Sequence, residues 1–245
     1  MMVKAVQRIR SAMFPIFRHI TNGQQVGLGV AGTGYFINEH GVFVTAAHVF
    51  DDSTPQIQFV YFGLLPESLQ NPFLVIQEIA RDDQNDIFIG KVDLENIDFL
   101  RFSNQPTEIG RTVCIAGYPL AQITINAQGG FELGGVRRYF QPSFILDFAS
   151  ASVANAQGVI RTHAGFLIRD FGLYGMSGGP VVDINGLVVG MQASVSDPRE
   201  STNGVRTITV QNALAISGDR IRELLTNSGI AFTVGEEVGE IENIH

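Results

Sequence analysis

Along most of the chain, apolar residues either alternate with polar ones or follow one another in short runs rich in Val, Ile and Phe. Alternation with a period of two marks β-strands, and the Gly, Asn, Asp and Pro residues between the runs mark turns. The pattern predicts strands over residues 34–37, 42–45, 57–62, 73–79, 87–92, 112–116, 159–162, 181–184, 187–192 and 207–211. Two tight turns are well marked, Asn38-Glu39-His40-Gly41 and the Asn185-Gly186 pair between apolar neighbours. Helical periodicity is weak until near residue 217. There Ser217 can cap a helix with Asp219 in its first turn, Ile221, Leu224 and Leu225 on one face, and Gly229 at its end. The expected fold class is therefore all-β with a short C-terminal helix over residues 217–228. Residues 1–12 read as an N-terminal extension. Residues 229–245, with Glu236, Glu237, Glu240 and Glu242, read as a solvated acidic tail.

Composition narrows the function classes. The 245 residues are 45% hydrophobic and 16% charged, which suits a globule able to bury roughly three quarters of its unfolded surface. Sixteen Lys and Arg against 24 Asp and Glu give a net charge of −8, so a broad polyphosphate-binding surface, and with it nucleic acid, is not expected. The single cysteine, Cys114, excludes an internal disulfide and a Cys-rich zinc site, and its apolar run makes it an inert buried thiol. Lys4, Arg8, Arg10 and Arg18 break up the N-terminal stretch, and no small-residue cleavage site comes after it, so no signal peptide is expected. The uncharged stretch 112–131 holds Pro119, Gln122, Asn126, Gln128 and three glycines, which makes membrane insertion expensive. These readings together point to a cytoplasmic protein without a membrane span.

Gly27, Gly29 and Gly32 spell G-x-G-x-x-G, the spacing of a dinucleotide-binding turn. The next residues, Thr33-Gly34-Tyr35-Phe36-Ile37, are strand-like, so no helix N-terminus is available to receive a pyrophosphate. The nucleotide reading is set aside on that ground.

The segment Gly175-Met176-Ser177-Gly178-Gly179-Pro180 precedes an apolar strand, and its glycines permit backbone geometry that presents a serine. Serine is a weak nucleophile unless an imidazole takes its proton and a carboxylate orients that imidazole. The chain offers both. Val44-Thr45-Ala46-Ala47-His48-Val49 places His48 just past a buried strand, and Asn85-Asp86-Ile87-Phe88-Ile89 sets Asp86 at the mouth of another. Asp51, Asp52, Asp82, Asp83 and Asp93 lie near it in sequence but read as solvated turn residues. His163 reads as a hydrogen-bonded structural histidine, and His19, His40 and His245 as surface residues.

With these motifs in the order His, Asp, Ser, the chain resembles the trypsin-like, chymotrypsin-fold serine peptidases from about Met13 to Ser228. Within that superfamily it is most similar to the bacterial HtrA (Deg) branch. The motifs shared with that branch are Gly32-Thr33-Gly34-Tyr35-Phe36-Ile37, the segment Gly41 to Val49, and Arg111-Thr112-Val113-Cys114-Ile115-Ala116-Gly117-Tyr118-Pro119. The resemblance implies two packed antiparallel β-barrels, residues 13–100 with His48 and Asp86 and residues 101–217 with Ser177. It implies His48 as general base, Asp86 as its orienter, Ser177 as nucleophile, and the N–H groups of Gly175 and Ser177 as an oxyanion hole. Phe171 and Gly172 fall near the base of the primary specificity pocket, and Ala193, Ser194 and Val195 fall on the strand that pairs with substrate. None of these is a buried acid, so the expected preference before the cleaved bond is for small or apolar side chains.

Met176 stands where digestive relatives carry the aspartate that pairs with a new N-terminus, so activation by that route is not expected. HtrA proteins carry PDZ domains after the peptidase domain, whereas a helix and a short tail come after it here, so PDZ-based regulation is not transferred. The expected activity is hydrolysis of polypeptide substrates through an acyl-enzyme, with no cofactor and no metal. The alternative of another class is a noncatalytic or conditionally active peptide-binding module on the same fold. The oligomeric state is not legible.

Overall fold

The structure is a computed structural model, and it describes residues 2–21, 26–51, 58–66, 73–125, 131–154, 160–170, 172–196, 201–202, 205–206 and 212–235. The first half comprises helix α1 (Val3–Ile9) and strands β1 (Met13–Thr21), β2 (Val26–Phe36), β3 (Val42–Ala46), β4 (Gln58–Leu64), β5 (Phe73–Val75), β6 (Gln77–Asp82) and β7 (Ile87–Lys91). The strands form one antiparallel sheet in the order β5-β4-β1-β2-β3-β7-β6, curled as a half-barrel. Phe14 anchors its interior, 4.7 Å from the ring of Phe36 and 5.0 Å from that of Phe43. Gly34 and Gly63 face that ring so closely that a Cβ at either would lie 2.7 Å from it. Large and small residues thus interlock across neighbouring strands.

The second half contains β8 (Phe102–Ser103), β9 (Thr112–Gly117), the hairpin β10 (Gln122–Ile125) and β11 (Phe131–Gly134), β12 (Tyr139–Ala154), β13 (Ile160–Ile168), β14 (Pro180–Asp183) and β15 (Val188–Ser196). It continues with β16 (Ser201–Thr202), β17 (Val205–Arg206), β18 (Asn212–Ser217), helix α2 (Gly218–Asn227) and β19 (Val234–Gly235). The order β14-β9-β12-β13-β18-β15 closes on itself because β14 also pairs with β15. Six strands therefore make a closed barrel with its own apolar interior, which includes Ile115, Phe166, Met176 and Ala215. The mostly-β, double-barrel fold agrees with the expectation from sequence.

Several local expectations need correction. The N-terminal segment holds α1, whose Ala5 and Ile9 are buried one helical turn apart. The span 73–79 is two strands interrupted at Ile76. β1 is absent from the predicted strands, and it contains Pro15. The sheet tolerates that proline because β1 pairs with β4 only from Ile16 onward. β12 is a long strand that pairs with β9 over Tyr139 to Phe144 and with β13 from Ile145. Ser217 sits at the N-cap of α2 but makes no side-chain capping bond, while Gly229 ends the helix at φ 68°. The predicted strand 207–211 lies outside the described residues.

Candidate active site

The register of the first sheet sets two of the candidate residues side by side. In the antiparallel β3–β7 pair Ala46 lies opposite Ile87, so His48, two residues beyond Ala46, comes to Asp86, just ahead of Ile87. Asp86 adopts φ 57°, the left-handed region that aspartate tolerates better than most side chains. Its main-chain carbonyl accepts the Ala47 N–H at 3.1 Å, and its carboxylate accepts the His48 N–H at 2.8 Å. The other carboxylate oxygen lies 2.7 Å from His48 Nδ1. A carboxylate only accepts, so the neutral ring carries its proton on Nδ1 and its lone pair on Nε2. Asp86 is 1% exposed and His48 35% exposed, which shields the pair on the acid's side and leaves the ring partly open. The neighbouring acids have other partners. Asp82 closes the preceding turn through Asn85, while Asp51 and Asp83 bind Arg81.

The serine loop is wedged against the first barrel. A Cβ on Gly178 would lie 2.7 Å from Ala46 N and 1.9 Å from Thr45 Oγ1. One on Gly32 would lie 2.5 Å from a Val49 methyl and 2.7 Å from the Ser177 carbonyl. The histidine turn and the serine loop thus meet on Gly32, which explains a glycine that the nucleotide motif did not. On the other side Gly178 N–H donates to Gln192 O at 2.7 Å, and Gln192 N–H donates to Gly179 O at 2.9 Å.

Thr33 joins the two barrels, and sequence reasoning missed it. Its N–H donates to Ser177 O, and its carbonyl accepts the Thr45 hydroxyl. Its own hydroxyl donates to Gly175 O at 2.8 Å and accepts Tyr118 N–H at 3.0 Å. The preceding carbonyl, of Tyr174, accepts Leu120 N–H at 3.2 Å. Both peptide planes flanking Gly175 are therefore held, with Gly175 at φ 94°. In a trans peptide the N–H is directed opposite to the carbonyl, so the Gly175 N–H faces away from Leu120. Met176 is fully buried in the second barrel's interior, where its side chain anchors the loop by packing.

Of the other predicted residues, Gly172 precedes the serine loop and is half-buried. Ala193 is buried, and Ser194 and Val195 continue β15 opposite Leu214 and Ala213. Phe171 lies outside the described residues. A surface cleft of about 470 Å³, lined by residues that include Arg111 and Asp183, shares no residue with this site.

The sequence profile of the trypsin-like peptidase domain matches residues 32–191, more than half of the chain. The chain belongs to the trypsin-like peptidase family. An uncharacterized protein of Sinorhizobium fredii (strain NBRC 101917 / NGR234), y4bJ, is 26% identical over 213 residues, 86% of this chain. This chain spans 29% of the length of that curated relative. Among solved structures, the active form of the Rv3671c protease from M. tuberculosis superposes with a TM-score of 0.65 at 20% identity, covering 94% of this chain and 86% of that one. The HtrA-type protease AlgW, solved with a decapeptide, gives a TM-score of 0.65 at 16% identity, covering 93% of this chain and 67% of that one. Both likenesses concern the fold. No helix among the described residues is long and apolar enough to cross a membrane.

Proposed function

We propose that this trypsin-like peptidase is an endopeptidase that works through His48, Asp86 and Ser177. His48 Nε2 takes the Ser177 proton as Oγ attacks the substrate carbonyl, and Asp86 stabilises the imidazolium that results. The proton then passes from His48 to the departing amine, leaving an acyl-enzyme that water hydrolyses by the reverse sequence. The N–H groups of Gly175 and Ser177 receive the oxyanion, a contribution of about 3–4 kcal/mol for one such donor. Gly172, with Phe171 just before it in sequence, and the strand residues Ala193, Ser194 and Val195 border the substrate.

The observation that carries this reading is the two-point grip of Asp86 on His48, through the backbone N–H and through Nδ1. A purely structural histidine does not need its tautomer fixed while its ring remains one-third open. The fixed peptides around Gly175 support the same reading, since an oxyanion donor acts best when it is oriented before the reaction. Protease neighbours point to peptide substrates. Replacing Ser177 with Ala tests the proposal: turnover of a casein or peptide substrate disappears while the fold is retained. Activity near the wild-type level in that variant would move the nucleophile elsewhere.

A further inference from the structure

The second barrel's interior holds one polar anomaly beside the serine. Gln192 is 1% exposed, and its side-chain oxygen Oε1 has no hydrogen-bond partner among the described residues. Among the described residues three other buried polar atoms share that condition, on His19, Tyr35 and Gln141, but the Gln192 backbone is bonded to Gly178 and Gly179, immediately after Ser177. The direction of its side chain is set by the sheet. Gln192 lies opposite Ala215 in the β15–β18 pair, and residues directly opposite share a face. Ala215 belongs to the apolar cluster of Met176, Ile168 and Phe166, against which Leu173 of the serine loop packs. Gly190, two residues before Gln192 on the same strand, faces Phe166 so closely that a Cβ there would lie 2.7 Å from the ring. The carboxamide is therefore directed to the face of that apolar cluster, against which Leu173 of the serine loop packs.

A buried amide oxygen without a partner is unfavourable, and an apolar side chain of the same volume would remove the deficit. Its retention beside the nucleophile is explained by a ligand that completes it. We propose that Gln192 is a specificity-determining residue, which receives a hydrogen bond from a small neutral polar side chain, a hydroxyl or an amide, on the substrate residue before the cleaved bond. This rests on the catalytic reading above and narrows the small-or-apolar preference expected from sequence. A carboxamide both accepts and donates, so it satisfies hydroxyl and amide groups alike, while an aliphatic side chain leaves its oxygen unpaired. A charged side chain finds no counterion among the apolar residues of that cluster and is disfavoured.

The test uses two peptides that differ only before the cleaved bond, one with Thr and one with Val, which are matched in shape. With the wild-type chain kcat/KM is higher for Thr. In Gln192→Met, which conserves volume, the Thr-to-Val ratio falls about tenfold, the worth of one hydrogen bond in a desolvated site. Thermal melting confirms that the variant is folded. A Gln192→Glu chain, which retains hydrogen-bonding capacity but adds charge, cleaves both peptides more slowly. A wild-type preference for Val, or a ratio unchanged in Gln192→Met, would overturn the assignment while leaving the catalytic reading intact. Failure of the wild-type chain to cleave either peptide, with no labelling of Ser177 by a fluorophosphonate, would strike the catalytic reading instead.

Discussion

Thr33→Val removes one hydroxyl and leaves the shape of the side chain almost unchanged. The wild-type hydroxyl, fully buried, bridges Tyr118 N–H and Gly175 O at 3.0 and 2.8 Å. In the variant both partners stay buried with nothing to bond, at about 1–3 kcal/mol each, offset by under about 1 kcal/mol from the added methyl. The net loss is about 2–4 kcal/mol of stability, or roughly 5–12 °C in Tm for a chain of this length. The functional effect is separate. With the 175–176 peptide no longer held, only the Leu120 bond to the preceding peptide still orients the Gly175 N–H, and kcat falls by about 10- to 100-fold, within the range for impairing an oxyanion donor. KM changes much less, because the ground-state carbonyl bonds that donor weakly. Calorimetry gives the first number and steady-state kinetics the second. Thr33→Ser, which keeps the hydroxyl, restores most of kcat. A Thr33→Val chain with wild-type kcat and Tm would refute the claim that this hydroxyl holds the loop.

The same geometry predicts that Asp86→Asn lowers kcat by about four orders of magnitude, because an amide can present its N–H to Nδ1 and stabilise the wrong tautomer; a rate within tenfold of wild type would remove Asp86 from the mechanism. Burial pushes the Cys114 thiol up to about 12, against a backbone hydrogen bond from Gln141 that lowers it. The folded chain therefore keeps this proton over a pH range in which the unfolded chain releases it. The contribution to stability is whole below about pH 8.5, the ordinary thiol value, and is lost as pH rises toward 12. The folded chain resists thiol reagents at pH 8 and reacts after denaturation, whereas rapid modification of the native chain would contradict the burial.

The candidates His48, Asp86 and Ser177 were legible because each sits where an apolar strand begins or ends, and such boundaries are written in local composition. Asp86 could be told from its acidic neighbours by the strand it opens, and the register of β3 with β7 gives the reason. Thr33 was not legible in the same way. Its partners are 142 and 85 residues away in the chain, and a threonine in an alternating strand reads as an ordinary polar position. The one available signal was the Gly-Thr-Gly run, which marks close approach of backbone on both sides. Gln192 was hidden for a related reason, as its neighbours Met191 and Ala193, with Val188 and Val189 before them, made the strand look uniformly apolar. Helix α1 escaped notice because it has only seven residues, too few for a helical period to stand out against the β-like pattern.

The central claim is that Ser177 is activated by His48, and covalent labelling measures this most directly. A fluorophosphonate probe applied to the folded chain should modify Ser177, located by peptide mass spectrometry, with a rate that falls as His48 is protonated at acid pH and collapses in His48→Ala. An unmodified Ser177 in folded protein at every pH tested, or labelling indifferent to His48, would contradict the account and favour a peptide-binding module on the same barrels.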